Sequence, residues 1–222
     1  MKKSNQIFCI EGMDGVGKTT AGQHICNSIQ ALYGSNFRSE FSSIIGEQQE
    51  SLLFKKQMSE ANLTDFQIAL GVLYHSNKTL HDIAAIQQRQ FTMLDRGRAS
   101  FYAYQVKACG FAWAEDLLYQ AMQDEHKAGI EPNYVYLRCS LERAERQMNS
   151  RDKLKDYHDS KNQEFKQNLY EGYEEFFNTP HLVGNSKILT IDVDQLDVDK
   201  DRAMNQIWIK FHNFYKDVFL SA

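Results

Sequence analysis

Gly12, Gly15, Gly17, Lys18 and Thr19 fall within the run Glu11-Gly12-Met13-Asp14-Gly15-Val16-Gly17-Lys18-Thr19-Thr20, which fits the pattern G-x-x-x-x-G-K-[ST]. The chemistry of that spacing is phosphate binding. Glycines take backbone angles closed to other residues, so consecutive N–H groups can turn inward around an anion. A helix opening near Gly17 or Lys18 adds positive charge at the same point. Lys18 can reach the β- and γ-phosphates, and the Thr19 hydroxyl is placed for Mg²⁺. Gly12, Asp14, Gly15, Val16, Gly17, Lys18, Thr19 and Thr20 are therefore the candidate ATP-binding residues. The apolar run Ile7-Phe8-Cys9-Ile10 precedes the loop, and a helical pattern through Ala21, Ile25, Ile29 and Leu32 follows it.

A second constellation is Asp95-Arg96, at the end of the apolar run Phe91-Thr92-Met93-Leu94. A carboxylate at an exposed strand end can hold Mg²⁺ or manage a proton of an incoming phosphate. The guanidinium beside it can clamp a phosphate through its planar fork. A third is the basic stretch Arg143, Arg146, Arg151, Lys153 and Lys155, read as a lid over about 143–158. Mobile cations there would close over a transferring phosphoryl group and exclude water. Arg146 and Arg151 are the candidates to reach the transition state, beside Lys18, Asp95 and Arg96.

These side chains need a scaffold that brings distant segments to one edge. Strands are predicted at Gln6–Glu11, Phe37–Phe41, Phe91–Asp95, Tyr134–Arg138 and Lys187–Ile191. Helices are predicted at Gly46–Met58, Asp65–Ile86, Phe111–Ala128, 140–149, 161–177 and Asp201–Val218. Strands separated by helices imply a parallel sheet covered on both faces, with ligands at the carboxyl ends of the strands. The expectation is one α/β phosphate-loop nucleotide-kinase domain over 1–222. Resemblance to phosphate-loop nucleotide kinases implies three layers, a five-stranded sheet in the order 2-3-1-4-5, and an Arg-rich lid. The chain has 222 residues, enough for one such core, and a formal net charge of −4, which argues against non-specific nucleic-acid binding. Cys9, Cys26, Cys109 and Cys139 are dispersed without metal-ligand spacing, as in a reduced cytoplasmic compartment. The apolar stretch near the N-terminus is too short for a signal peptide or a membrane span.

The chain resembles the thymidylate kinase family over about residues 6 to 177. The resemblance rests on the Glu11–Thr20 segment, on Asp95-Arg96 with Ser100 and Ala103-Tyr104-Gln105, and on Glu164-Phe165 with Gly172-Tyr173. It implies an ATP- and Mg²⁺-dependent kinase acting on a deoxynucleoside monophosphate, foremost dTMP. It implies Asp14 near the acceptor sugar and phosphate, Asp95 and Thr19 at the metal, and Arg96 on the acceptor phosphate. Ser100, Tyr104 and Gln105 would line the base and deoxyribose pocket, the Tyr104 ring crowding a 2′-hydroxyl. Tyr74 would stack on the base, Lys78 would stand where the family has an arginine, and Tyr173 would join the substrate site. Gly15 together with Arg146 and Arg151 matches the family's lid-arginine type. A homodimer is implied, with the helix at Asp65–Ile86 as candidate for its apolar face and core packing as the other use of that face.

The departures cluster in the acceptor half. Arg38-Ser39-Glu40-Phe41-Ser42 replaces the family's Arg-Glu-Pro-Gly-Gly segment, Gly97-Arg98 follows Asp95-Arg96, and Asp156 is followed by Tyr157 in the lid. Lysine at position 78 cannot make a bidentate contact. Other readings stay open: a deoxynucleoside kinase, a kinase for a modified deoxypyrimidine nucleotide or base in DNA, and a nucleotide-binding regulatory subunit. His75 adjoins Tyr74 and so the proposed base pocket. The stripe Trp208, Phe211, Phe214, Tyr215, Phe219 reads as core or interface. The aspartates from Asp192 to Asp201 lack the glycine and closing glutamate of a calcium loop and read as a solvated turn near the adenine.

Overall fold

The computed structural model describes residues 6–34, 38–60, 63–86, 90–149 and 162–220. Five strands, β1 (Gln6–Glu11), β2 (Arg38–Ser43), β3 (Gln90–Asp95), β4 (Asn133–Arg138) and β5 (Ile188–Asp192), pair in parallel in the order β2-β3-β1-β4-β5. This is the expected sheet. The register sets Ile10 beside Asp95, so the end of β3 emerges next to the phosphate loop.

Side-chain alternation along β1 assigns each face of the sheet a function. Phe8 points to the helix that closes the chain, α9 (Lys200–Leu220), with ring centroids 5.4 Å from Phe211 and 4.7 Å from Tyr215. Phe91 joins them from β3, and α1 (Lys18–Tyr33) packs against α9 on this side. Each such buried aromatic stabilises the fold by about 1.5–3 kcal/mol. The stripe Phe211, Tyr215, Phe219 is thus core, whereas Phe214 is exposed. Cys9 and Glu11 point to the opposite face, where a Cβ on Gly97 would lie 2.7 Å from the Cys9 sulfur and 3.0 Å from Glu11 Oε1.

On that second face lie α2 (Gln49–Ser59), α3 (Asp65–Ala85), α4 (Arg98–Phe101), α5 (Ala112–Lys127), α6 (Leu141–Asn149), α7 (Gln163–Asn178) and α8 (Pro180–Val183) around the β3 and β4 ends. Thr64 caps α3 with a reciprocal Gln67 box, and Asn162 caps α7. The predicted helix from Gly46 begins later, because Gly46 sits at φ 83° in a turn whose N–H bonds Ser43 O at 2.8 Å. Strand β2 runs on to Ser43 because Ser42 and Ser43 pair with Leu94 and Asp95. Phe37, placed in that strand by the sequence reading, lies outside the described residues.

Behind the phosphate loop, one segment has no counterpart in the sequence reading. α4 continues as a π-helical segment from Tyr102 to Ala108, with Cys109 N–H reaching Tyr104 O at 2.9 Å. Residues 98–106 are buried all round, so no amphipathic period marks them as helical. Such wide turns recur at functional sites. α7 lies tightly against this segment because residue 172 is glycine. A Cβ there would stand 2.8 Å from Ala103 Cα and 3.0 Å from Lys107 Cβ. Gly172→Ala is expected to cost about 1–3 kcal/mol by overpacking. Calorimetric melting would show a fall of roughly 2–4 °C per kcal/mol. An unchanged midpoint would mean that the two helices can part freely.

Candidate active site

The loop between β1 and α1 has Gly12, Gly15 and Gly17 at φ 139°, 89° and 93°. Gly12 has a second constraint, since a Cβ would lie 2.4 Å from Leu137 O on β4. Gly17 caps α1 without a side-chain bond, so the first amides of the helix face the loop as donors. The Lys18 amine is buried and donates to Gly12 O and Met13 O, each at 2.8 Å, with Asp14 at 3.7 Å. Burial lowers its pKa to about 8, Arg96 lowering it further and Asp14, Asp95 and Glu11 restoring part.

Asp95 reaches this loop as expected, and Thr19 Oγ1 donates to its Oδ2 at 2.9 Å. Asp95 Oδ1 is buried without a hydrogen-bond partner among the described residues. An unsatisfied carboxylate oxygen beside a threonine hydroxyl is the oxygen set that Mg²⁺ takes, completed by water and nucleotide phosphate. The residues therefore fit Mg²⁺. Among the described residues no cluster of three His, Cys, Asp or Glu forms an all-protein metal cage.

Arg96 follows at φ 74°, the one non-glycine residue with positive φ among the described residues. Its N–H bonds Ile10 O at 3.0 Å, which holds it there. Left-handed backbone at a branched-off arginine costs about 1–3 kcal/mol and concentrates at functional positions. The guanidinium donates to Asp14 through Nη2, and through Nη1 to Tyr173 OH at 3.3 Å and Ser100 Oγ at 3.5 Å. It also lies 5.0 Å from the Tyr104 ring centre. The Tyr104 hydroxyl donates to the other Asp14 oxygen. Burial disfavours the Arg96 charge, but Asp14, with Tyr104, Tyr173 and Asp95, holds its pKa well above the usual value.

Three cavities meet along this edge. The first, about 390 Å³, is walled by Gly15, Gly17, Thr20, Arg143, Val193, Leu196 and Met204. The second, about 110 Å³, lies over Lys18, Thr19, Asp95 and Arg96, and shares Gly15, Gly17 and Thr20 with the first. The third, about 140 Å³ and mostly apolar, is bounded by Ile44, Ile45, Ile68, Val72, Ser76 and Phe101, with Ser100, Tyr104 and Gln105 in its wall. It shares Asp14 and Arg96 with the second. The aspartates after β5 close one side of the first cavity as an ordered turn, Asp192 accepting from Asp194 N–H and Asp194 from Ser140 N–H.

The structure brings together Asp14, Lys18, Thr19, Asp95, Arg96, Ser100, Tyr104 and Gln105. It does not bring Tyr74 to the third cavity. Tyr74 is 59% exposed, because the cavity face of α3 carries Ile68, Val72 and Ser76, four residues apart, and Tyr74 falls between them on another side. None of these three is aromatic or cationic. Lys78 likewise turns away, to Gln48 and Asp82. His75 is buried against α2, bonded to Ser51 and packed on Phe54. Tyr173 lies behind Arg96 rather than in the cavity wall. Arg146 is an exposed partner of Glu142, whereas Arg143 bonds Val193 O and Asp194 at the first cavity. Arg151, and the lid from residue 150 to 158, lie outside the described residues.

Two features escaped the sequence reading. Arg98 is a buried cation bonded to Ser76, Asn77 and Glu125. It thereby fixes Ser76 in the cavity wall. Glu11 is fully buried, accepting from Ser100 N–H at 3.3 Å and from its hydroxyl. The one signal for it was a charged residue ending an otherwise apolar strand.

The thymidylate kinase family model matches residues 10–195. No curated protein matches the chain. Among solved structures, a thymidylate kinase from Ehrlichia chaffeensis superposes with a TM-score of 0.65 at 15% identity, covering 96% of this chain and 99% of that one. At that identity the likeness concerns the fold.

Proposed function

The chain belongs to the thymidylate kinase family and is a nucleoside monophosphate kinase. From that premise we propose that it transfers the γ-phosphoryl group of ATP to a deoxypyrimidine monophosphate, first of all dTMP to dTDP. The observation that carries the reading is the continuity of the three cavities, nucleotide base to phosphates to acceptor, with Asp14 and Arg96 at the last junction.

In this mechanism the loop amides and Lys18 cradle the donor phosphates. Arg96 holds the acceptor 5′-phosphate in line, and Asp14 keeps Arg96 aimed. Thr19 and Asp95 would hold Mg²⁺, which would supply charge neutralisation to the transfer. No covalent intermediate is needed, since phosphoryl transfer is positioning and charge stabilisation. Closure of a lid bearing Arg146 and Arg151 is part of the same proposal. The Tyr104 ring, pinned through its hydroxyl to Asp14, stands where a 2′-hydroxyl would crowd it. Arg96 at the cavity mouth favours a monophosphate acceptor over a nucleoside. Val72 and Ser76, in place of larger side chains, favour as second reading a deoxypyrimidine with a 5-substituent larger than methyl.

A homodimer goes with the reading, and Phe66, Leu70 and Tyr74 form an exposed apolar row on α3 suited to it. So does a cytoplasmic location. Among the described residues no helix is long and apolar enough to cross a membrane.

The test is ATP consumption with dTMP, dUMP, 5-hydroxymethyl-dUMP, dCMP, dGMP, thymidine, ribothymidine monophosphate and modified duplex DNA. Diphosphate from dTMP, with at least about tenfold preference over the ribonucleotide, is the expected result for a site that discriminates by steric exclusion. Turnover of thymidine or DNA alone would refute the monophosphate assignment.

A further inference from the structure

Glu11 ends β1 on the face that looks toward α4 and α7, a fully buried carboxylate beneath the phosphate loop with no part in the phosphoryl transfer itself. A buried carboxylate needs donors or a countercharge. Glu11 takes the Ser100 N–H and the Ser100 hydroxyl, and among the described residues no cation pairs with it directly. Beyond Ser100 stands the Tyr173 hydroxyl at 2.8 Å, and beyond that Arg96 Nη1 at 3.3 Å.

The direction of this chain follows from its two ends. A guanidinium can only donate, so Tyr173 oxygen accepts from Arg96 and its own O–H must point elsewhere. The group available is Ser100 Oγ, whose proton then goes to Glu11. Both Glu11 oxygens then accept, Oε1 from the Ser100 N–H and Oε2 from the Ser100 hydroxyl, and the ionised carboxylate, with no proton of its own to place, satisfies both links. We propose that Glu11 is a positioning residue: through Ser100 and Tyr173 it holds the Arg96 guanidinium in the orientation that meets the acceptor 5′-phosphate. This rests on the kinase reading above and adds to it a specific source for the geometry of Arg96.

The groups facing Glu11 are Cys9 on its own strand, Lys18 from α1, Arg96 and Ser100 from the β3–α4 segment, Tyr134 from β4 and Tyr173 from α7. Burial raises the pKa values of Cys9, Tyr134 and Tyr173, which keeps all three neutral near pH 7. Burial also pushes Glu11 up to about 7, with Ser100, Arg96 and Lys18 opposing. Protonated at Oε2, Glu11 would donate to Ser100, reverse the first link and turn a hydroxyl proton of the chain toward the Arg96 donors. The acceptor site therefore weakens as pH falls through about 7.

The experiment measures kcat and both KM values between pH 5.5 and 8.5 for wild type, Glu11→Gln and Ser100→Ala. For wild type the acceptor KM is expected to rise roughly tenfold per pH unit below the carboxyl pKa, with the ATP KM changing little. In Glu11→Gln, and in Ser100→Ala should the first variant not fold, the acceptor KM is expected to be raised about tenfold at pH 8 and to lose that acid limb, as for a removed uniform-binding interaction. A Glu11→Gln profile that keeps the wild-type limb overturns the proposal. Absence of wild-type turnover with any nucleotide would instead remove the kinase reading. In that event difference infrared spectroscopy of the carboxyl C=O band still decides the coupling. The band should titrate near pH 7, vanish in Glu11→Gln and titrate higher in Arg96→Ala; an unmoved midpoint in Arg96→Ala overturns it.

Discussion

Replacing Lys18 by alanine is expected to lower kcat about a thousandfold or more, with the fold retained. The amine is 6% exposed and sits where the loop amides, Thr19 and Asp95 converge. Among the described residues lining the phosphate cavity the other cation is Arg96, which Asp14 holds on the acceptor side. Loss of stability is not expected. Burial has lowered the Lys18 pKa from 10.5 to about 8, so the unfolded chain binds more protons between those values. Stability therefore rises with pH across that window, and the buried charge is a cost to the fold below it. Lys18→Ala should melt at or above the wild-type temperature at pH 7. The same shift means that ATP, by restoring the lysine charge, takes up a proton when it binds above pH 8, which titration calorimetry in two buffers can read. Near-normal turnover of a well-folded Lys18→Ala would remove the donor-site assignment.

What was legible in the sequence was what short spacing controls. The Gly12–Thr19 loop, the apolar strands and their parallel pairing follow from local pattern plus the rules of α/β connection, whereas the strand order follows from the family resemblance. The Asp95 to Thr19 contact joins residues 76 apart, yet it is foreseeable because Asp95 ends β3 and Thr19 opens the helix that follows the neighbouring strand β1. Helical phase over a long element was not legible. Tyr74 and Val72 differ by two positions on α3, which moves a side chain about 200° around the axis. A family spacing assigned without the structure chose the wrong side. The π-helical turn was hidden because residues 98–106 lack a polar face. The Glu11–Ser100–Tyr173–Arg96 chain was hidden because it joins β1, α4 and α7 through contacts 73 to 89 residues apart. No local pattern encodes which of several polar residues will share a buried volume.

The site also concentrates features that a fold selected for stability alone would avoid. Arg96 has left-handed backbone, Lys18 has a lowered pKa, Glu11 a raised one, and Asp95 has an unsatisfied oxygen. Each disfavours the folded state by itself, and they converge on one edge of the sheet. Such clustering is the physical mark of a site kept for chemistry.

Arg96→Ala is expected to reduce kcat/KM for the acceptor about a thousandfold, roughly 4 kcal/mol of transition-state stabilisation. Three effects add. The bidentate clamp on the acceptor phosphate is lost. Asp14 loses the guanidinium, and its less compensated carboxylate repels an incoming dianion. Tyr104, held between the guanidinium and Asp14, loses the stacked cation and with it the wall against the 2′-hydroxyl. Arg96→Lys should recover little, because an ammonium cannot bridge Asp14, Tyr173 and a phosphate from one plane. The two substitutions should therefore separate by kinetic signature. Lys18→Ala impairs the donor side and leaves acceptor binding near normal, whereas Arg96→Ala leaves ATP affinity near normal and raises the acceptor KM together with the loss of kcat. Binding of dTMP, followed by calorimetry without ATP, isolates the ground-state part. Equal acceptor affinity in wild type and Arg96→Ala, with turnover also equal, would place the acceptor phosphate elsewhere than the junction of the second and third cavities.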